Sequence, residues 1–516
     1  AVITKPLNPF GLGYALRRHR DKPWTLPLFI DNGMLNPLAA GLISFFVDGA
    51  RTMLVAGTRS SGKTSLLGSV LVEIMRKFRL ITVEDSVTGD CEIIVRKSKK
   101  IKRTTIGQLI DSSIEKYGCW YNLSEHEILG NDEDVEILSM NKKGIVEFNR
   151  PSKLIRHKVN KPVYRILTRT GREINVTGDH SLFNLGDAAE IKEVKVGSLK
   201  ENDFIAVPRK LNFCNKERKY LNLLDYLDKL NKGYFEGECV GELFKRYCHE
   251  INQLAKEHGH NRSLRSHWRR REFIPLKIVK DLVSLGYDVS VLKDSCYRGS
   301  KNSGTLPVLI ELDENLLTFI GLWIADGCYD RSSVLLSVVE EENREIAYAL
   351  ARQYGFNVKF HSDSFSLMLN STTLKTIMRE VLDLKGNAYT KRIPEWVYNL
   401  SDGQIANVLK GIFSGDGCVA DKEIVIPLAS LNLLKDIQTL LLNFGIIFRI
   451  GVMRKDKTYN ASISSLKFWK IFKEKIGILP KDKLDKLNRL CLKESTHDCS
   501  DVIPLNLGVK KKVKQI

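Results

Sequence analysis

Two apolar segments, each with a glycine followed five residues later by Asp-Gly, restrict the fold of this chain more than any other feature. The first reads Leu317-Thr-Phe-Ile-Gly321-Leu-Trp-Ile-Ala-Asp326-Gly327 and the second Val408-Leu-Lys-Gly411-Ile-Phe-Ser-Gly-Asp416-Gly417. The aspartates lie 90 residues apart, enough for one αββαββα half, so the pair marks a degenerate internal repeat. Gly321 and Gly411 carry no side chain, so the two helices can pack with their backbones close together. Asp326 and Asp416 would then emerge side by side at the helix C-termini. Adjacent carboxylates repel unless a divalent cation bridges them, and the negative helix ends strengthen the attraction for a cation. The expectation is a divalent-cation site, suited to Mg²⁺, between the two helix ends. Gly327 and Gly417 are expected to let the chain leave each helix in the left-handed conformation. Alternating segments 333–338, 365–369 and 459–464 are candidate strands.

The charge balance points to a polyanionic partner. Lysine and arginine number 80 against 61 acidic residues, a formal charge of +19 and a pI near 9.3, which points first to nucleic acid. At 516 residues the chain exceeds one domain, and three or four are expected. The segment Gln253–Arg271 reads as helix, glycine turn, helix, with Arg262, Arg265, Trp268, Arg269, Arg270 and Arg271 clustered on the second helix. This is a candidate DNA-contacting unit, against the plainer reading of a solvated basic helix. Lys301-Asn-Ser-Gly304 reads as a linker.

The ten cysteines include no C-x-x-C pair, so neither zinc nor a disulfide framework is indicated, and a reducing, cytoplasmic setting is expected. No apolar core with a cleavage site opens the chain. The apolar stretch Met34 to Ala50 is short and holds Asn36 and Asp48, so no membrane span is expected.

The two repeat segments match the LAGLIDADG motif, and residues 306–500 resemble a homing endonuclease of that family. The resemblance implies a pseudo-symmetric monomer, an α+β fold with an αββαββα pseudo-repeat whose strands form two saddles over double-stranded DNA, Mg²⁺-dependent phosphodiester hydrolysis with one carboxylate for each strand, and Asp326 and Asp416 as the catalytic metal ligands. Family members use a further basic residue to assist the attacking water. Arg454, Lys455 and Lys457 are candidates, with a solvated loop as the plainer reading. Residues 211–305 would be the helical, basic DNA-recognition insert and linker.

Upstream, Ser86-Val-Thr-Gly-Asp90-Cys-Glu-Ile-Ile-Val95 opens a β-rich run, and Gly171-Arg-Glu-Ile-Asn-Val-Thr177-Gly-Asp179-His180-Ser-Leu-Phe183 follows later. Alternation over 163–171 and 191–208 adds strands. These segments resemble the N-terminal splicing blocks of inteins, which implies an all-β hedgehog/intein domain over 86–210. An N-to-O acyl shift needs a hydroxyl or thiol at the first position. The resemblance assigns Ser86 as nucleophile on the Asp85 carbonyl, Thr177 as the group orienting the scissile peptide, and His180 as proton donor to the departing nitrogen. Cys91 is a rival nucleophile. Residues 501–516 resemble the start of the return to the splicing domain. The C-terminal splicing blocks do not follow, and the chain is expected to be a fragment at both ends.

The first 85 residues differ in character. An apolar strand leads into Gly57-Thr-Arg-Ser-Ser-Gly62-Lys63-Thr64-Ser65 and a helical pattern, the context of a phosphate loop. Backbone N–H groups would cradle phosphate, Lys63 would reach the β/γ-phosphates and Thr64 would hold Mg²⁺. Leu80-Ile-Thr-Val-Glu84-Asp85 follows. Residues 5–85 resemble the nucleotide-binding domain of type II/type IV secretion ATPases, in which Glu84 and Asp85 match an acidic box beside bound ATP. Neither the Walker B aspartate nor the histidine box follows, so this is a P-loop half domain. The host enzyme, hexameric by resemblance, would be restored by splicing. The whole is expected to be a multidomain α/β fragment: an intein with its endonuclease, lodged in an ATP-binding host. The alternative is a secretion ATPase with a large non-splicing regulatory or DNA-binding insertion.

Overall fold

The computed structural model describes residues 2–3, 13–14, 24–48, 55–56, 62–73, 86–119, 121–123, 126–131, 134–141, 143–186, 190–213, 215–301 and 303–494. The chain divides into two compact units, 1–84 and 85–516.

Within the first unit lie helices α1 (Leu26–Asp31), α2 (Pro37–Asp48) and α3 (Lys63–Glu73). Thr25 caps α1 through its hydroxyl, which accepts from the Leu28 N–H, as an extended residue before a helix does. Helix α3 starts at Lys63, directly after Gly62 at φ +84°. The strands expected on either side, 51–57 and 80–85, lie outside the described residues apart from 55–56.

The second unit opens with a β-rich region. Strands Lys100–Thr105, Glu92–Lys97, Glu136–Met140 and Val146–Asn149 form a four-stranded sheet in that order. Tyr121–Leu123, His126–Gly130 and Lys153–His157 form a second sheet. Hairpins Val163–Leu167/Glu173–Thr177 and Ser181–Leu185/Ile191–Lys195 follow. The region is not all-β, because α4 (Ile106–Tyr117) packs on it with Leu109, Ile110 and Ser113 buried. The sequence carries the cause: Thr105 and Gln108 make a reciprocal capping box, and apolar residues recur three and four apart.

The insert is more than helical. It holds α5 (Glu238–Arg246), α6 (Cys248–Glu257), α7 (Arg262–Arg270) and α8 (Leu276–Ser284). Strands Phe273–Pro275, Tyr234–Glu236, Cys296–Arg298 and Leu306–Pro307 build an antiparallel sheet among them. The helix, turn, helix reading holds for α6 and α7, joined through Gly259 at φ +75°. The expected linker is docked instead. Ser303 is buried, and its hydroxyl accepts from both the N–H and the hydroxyl of Thr373 at 2.9 Å.

The repeat is realised element for element. Helix α9 (Glu314–Asp326), two strands, α10 (Glu341–Tyr354), two strands and α11 (Thr372–Thr376) make the first half. Helix α12 (Asp402–Gly415), two strands, α13 (Leu431–Asn443), two strands and α14 (Leu466–Lys475) make the second, and α15 (Lys481–Leu492) follows. Each half carries a four-stranded antiparallel sheet with its strands in the order first, second, fourth, third. The three expected saddle strands appear as Val334–Ser337, Ser366–Asn370 and Tyr459–Ile463. One continuous hydrophobic core runs from the insert through both halves. Residues 495–516, with the expected return segment, lie outside the described residues.

Candidate active sites

Helices α9 and α12 pack through their glycines. A Cβ at Gly321 would lie 2.1 Å from the Val408 carbonyl oxygen, and one at Gly411 would lie 2.1 Å from that of Thr318. No real side chain fits either gap. Asp313 caps α9 by accepting from the Leu316 N–H, and Ser401 with Gln404 forms a capping box on α12. Both helices thus start at defined points and end together.

Asp326 is the last residue of α9 and Asp416 the C-cap of α12. Asp416 is pushed up to about 7, first by burial and then by the Asp326 charge. Asp326 is also raised, by burial first, with Lys391 opposing. Dense protein beneath the pair causes both shifts, although Asp326 itself presents its carboxylate at an exposed rim and Asp416 is half-buried.

Two lysines absent from the sequence reading complete this site. Lys391, buried, donates from Nζ to the carbonyls of Trp323 (3.0 Å), Ala325 (3.1 Å) and Gly327 (2.7 Å). Lys483 donates to those of Ser414 (2.7 Å) and Gly415 (2.9 Å), and pairs with Glu340 at 3.1 Å. Each lysine satisfies the orphan carbonyls of one helix end and sets a cation beside one aspartate. Burial holds the Lys391 ammonium below its ordinary value, opposed by Asp326 and Asp416. Arg454, Lys455 and Lys457 instead occupy an exposed hairpin turn closed by the Arg454 N–H on the Thr458 carbonyl. The repeat held the missed signal: Lys391 follows Asp326 by 65 residues and Lys483 follows Asp416 by 67.

Neither Gly327 nor Gly417 leaves its helix in the left-handed conformation. Gly327 has φ −94° and ψ 152°, and Gly417 is not among the residues with positive φ. Glycine is required there for space. A Cβ at Gly327 would lie 2.3 Å from the Trp323 ring, and one at Gly417 would lie 2.3 Å from the Phe413 carbonyl oxygen.

The second site surrounds Ser86. A bridge between Val87 and Val176 and a bond from the Thr88 N–H to the Asn175 carbonyl (3.0 Å) lay this segment along the strand Glu173–Thr177. Thr177 is buried, and its hydroxyl accepts from the Ser86 N–H at 3.3 Å while its own N–H donates to the Ser86 carbonyl at 3.0 Å. His180 sits in the same turn, its N–H on the Thr177 carbonyl (3.1 Å) and its carbonyl accepting from Val196 (2.9 Å). His157, which sequence reasoning did not single out, brings Nε2 within 2.8 Å of the Ser86 hydroxyl. Cys91 is half-buried, and burial, then Asp90 and Glu92, push its thiol up, which lowers its worth as a nucleophile.

In the basic insert, Trp268 is buried in the core, edge-on to His260 and Phe273. It has no face to offer a base, because a bulky aromatic at that position closes the α7 interface. Arg265 is half-buried and donates to the Asn252 carbonyl at 2.8 Å, so it ties α7 to α6. Arg262, Arg269, Arg270 and Arg271 remain exposed.

Of the phosphate-loop residues, Gly62, Lys63, Thr64 and Ser65 lie at the start of α3. Gly57, Glu84 and Asp85 lie outside the described residues. Among the described residues no group of three or more His, Cys, Asp or Glu gathers as metal ligands, and no helix is long and apolar enough to cross a membrane. The Asp326/Asp416 pair still suits magnesium, which takes one or two carboxylates and completes its octahedron with water and phosphate oxygens.

Residues 93–349 match the family model of the intein splicing domain, and residues 403–477 that of a LAGLIDADG-like domain. Neither match includes residues 1–92. Glutamine–fructose-6-phosphate aminotransferase of Methanocaldococcus jannaschii is 28% identical over 388 residues, covering 70% of this chain and 34% of that protein. DNA-directed RNA polymerase subunit Rpo1C of the same organism is 26% identical over 424 residues, covering 80% of this chain and 42% of that protein. The chain thus spans between a third and a half of the length of these two relatives. Among solved structures, the transcription factor IIB Mvu mini-intein is 27% identical, covering 22% of this chain and 63% of its own, with a TM-score of 0.21. I-DmoI in complex with DNA and Mn is 15% identical, covering 32% of this chain and 97% of its own, with a TM-score of 0.27.

Proposed function

We propose that this chain, which carries an intein splicing domain and a LAGLIDADG-like domain, is a mobile element with two activities: autocatalytic excision beginning at Asp85–Ser86, and double-strand cleavage of DNA lacking the element. The domains would run 1–85 (host), 86–210 (splicing), 211–305 (DNA-recognition insert), 306–500 (endonuclease) and 501–516 (start of the return). The aminotransferase and the RNA polymerase subunit share no chemistry, yet both match most of this chain. That is expected when the shared part is an insertion and not the host enzyme.

The cleavage reading rests on one observation, two aspartates ending a glycine-abutted helix pair with a lysine at each end. Asp326 and Asp416 would hold Mg²⁺, which when bound supplies charge neutralisation on the phosphate and a more acidic water. Lys391 and Lys483 keep the carbonyl-rich helix ends from repelling the DNA backbone and set a fixed positive charge beside each carboxylate. The exposed Arg262, Arg269, Arg270 and Arg271 would neutralise phosphates outside the cut. A supercoiled plasmid carrying the joined host sequence around Glu84 and Asp85 tests this. The chain with Mg²⁺ should linearise it, and Asp326→Asn or Asp416→Asn should not. Linearisation by the double variant would overturn the reading.

For splicing, the carrying observation is the Ser86 N–H held on the Thr177 hydroxyl. That contact fixes the nitrogen that must leave. Ser86 Oγ attacks the Asp85 carbonyl, the C–N bond breaks, His180 supplies the proton to nitrogen, and an ester links Asp85 to Ser86 Oγ. Hydroxylamine should cleave that ester between Asp85 and Ser86 in the parent and not in Ser86→Ala. Residues 1–85 would belong to an ATP-binding secretion ATPase of the cytoplasm, hexameric once joined. The helix that begins at Lys63 directly after Gly62 supports a phosphate loop there, with Gly57, Thr64, Ser65, Glu84 and Asp85 around ATP and Mg²⁺.

A further inference from the structure

We propose that His157 is the general base that takes the proton from the Ser86 hydroxyl in the first acyl shift. The proposal rests on the reading of Ser86 as nucleophile. The two residues arrive from different sheets. The strand Lys153–His157 is aligned by its ladder with His126–Gly130, where Ile128 faces Ile155 and Leu129 faces Leu154. Leu129 and Leu154 are buried beneath α4 residues Ile110 and Ile114, which sets the end of the strand at His157. Ser86 is set by the bridge to the other strand, Glu173–Thr177. Nothing in the sequence between residues 86 and 157 advertises the pair, yet the folded chain closes Ser86 Oγ to His157 Nε2 at 2.8 Å.

The direction of proton transfer follows from the far side of the ring. His157 Nδ1 lies 3.1 Å from the Lys158 carbonyl oxygen. A carbonyl only accepts, so Nδ1 carries the hydrogen, and in that tautomer Nε2 presents its lone pair to the hydroxyl. The hydroxyl then donates to nitrogen, the arrangement of an activated serine. The Ser86 N–H is meanwhile occupied on Thr177, so the hydroxyl and not the amide points at the imidazole.

The balance of the step is complete without a co-reactant. Oγ forms a bond to the Asp85 carbonyl carbon as its proton passes to His157 Nε2. The C–N bond breaks, and the nitrogen takes one proton as it leaves, so one proton is lost from oxygen and one gained by nitrogen. Two histidines divide the work: His157 on the oxygen side, His180 on the nitrogen side. A serine needs such help because so little of it is ionised near neutral pH, whereas a cysteine at the same position needs much less.

The test uses the full chain and hydroxylamine, which traps the ester as a cut between Asp85 and Ser86. His157→Ala should slow that cut about 10²-fold, the scale of lost base catalysis. Ser86→Cys/His157→Ala should cut within about tenfold of Ser86→Cys alone, because the thiol supplies its own anion. Added imidazole should restore part of the rate to His157→Ala. Should His157→Ala melt early, His157→Gln gives the same comparison with the polar contact retained. Parental cutting by His157→Ala overturns the proposal. So does an equal loss in the serine and cysteine backgrounds, which would make His157 a support for the strand and not a base. If neither the parent nor Ser86→Cys yields a cut, the reading of Ser86 has failed and this proposal falls with it.

Discussion

Gly321 and Gly411 stand face to face across the two paired helices, and a Cβ on either would lie 2.8 Å from the Cα of the other. Each such atom would also meet a backbone carbonyl of the opposite helix at 2.1 Å. Backbone cannot move aside as a side chain can. Gly321→Ala and Gly411→Ala should each destabilise the chain by about 2–4 kcal/mol through helix separation. Gly403, also in α12, has open space around its would-be Cβ, so Gly403→Ala should be neutral or stabilising by up to about 1 kcal/mol. Denaturant midpoints of the three variants check the contrast.

The two lysines at the helix ends are expected to act on catalysis more than on binding. Lys391→Met and Lys483→Met should each slow plasmid cleavage about 10²-fold. Because each lysine borders one carboxylate, nicked circles should accumulate in both variants. Gel quantitation of nicked and linear products decides it, and linear product at the parental rate would remove the lysines from the reaction.

The carboxylate pair gives metal-free stability a definite pH trend. A carboxyl whose folded pKa is raised favours folding while protonated, and that stability is lost as pH rises through the folded value. Asp416 is pushed up to about 7 and Asp326 is raised with it. Between about pH 4 and 7 the metal-free chain should therefore lose about 1–2 kcal/mol from this site, a figure reduced because both groups reach solvent. Asp416→Asn should flatten the trend. Melting in EDTA across that range checks it, and a steeper fall in the variant would contradict it.

A buried carboxylate joins the first sheet of the second unit to the second half of the repeat. Asp436 is fully buried and accepts from Arg392, the Ile393 N–H (3.1 Å) and the Tyr398 hydroxyl (3.1 Å), and it pairs with Arg103 of the strand Lys100–Thr105. Removing one partner strands the others without solvent. Asp436→Ala should cost about 3–5 kcal/mol, with both activities lost together above its lowered melting temperature.

In α7 the buried and exposed residues should separate cleanly. Trp268→Ala should cost about 3–5 kcal/mol in stability. Arg270→Gln should leave stability within about 0.5 kcal/mol and reduce the salt dependence of DNA binding by about one unit of slope. Binding titrations at several salt concentrations, beside thermal melts, separate the two effects.

How much of this was legible in sequence divides along the range of the interactions. The helix pair was readable because a glycine, four further residues and an Asp-Gly recur in both copies within one and a half turns of helix. The strands at 333–338, 365–369 and 459–464 are equally local, and they appear where alternation placed them. Trp268 and Arg265 misled because a basic, aromatic helix looks the same whether its tryptophan faces DNA or a core. Gly327 and Gly417 misled in kind: steric room inside the preceding turn and left-handed backbone both select glycine, and only the folded backbone distinguishes them.

What the sequence determined by itself, then, is the set of elements whose causes lie within a few residues: the two aspartate-ending helices, the capped α4 and the turn from Thr177 to His180. What tertiary structure alone decided is which distant groups meet them. Lys391 and Lys483 reach the helix ends across more than sixty residues of chain, and His157 meets Ser86 across seventy-one. No periodicity encodes those meetings. They follow from apolar surfaces burying one another, which sets each strand and helix end, and the polar groups converge where those ends come together.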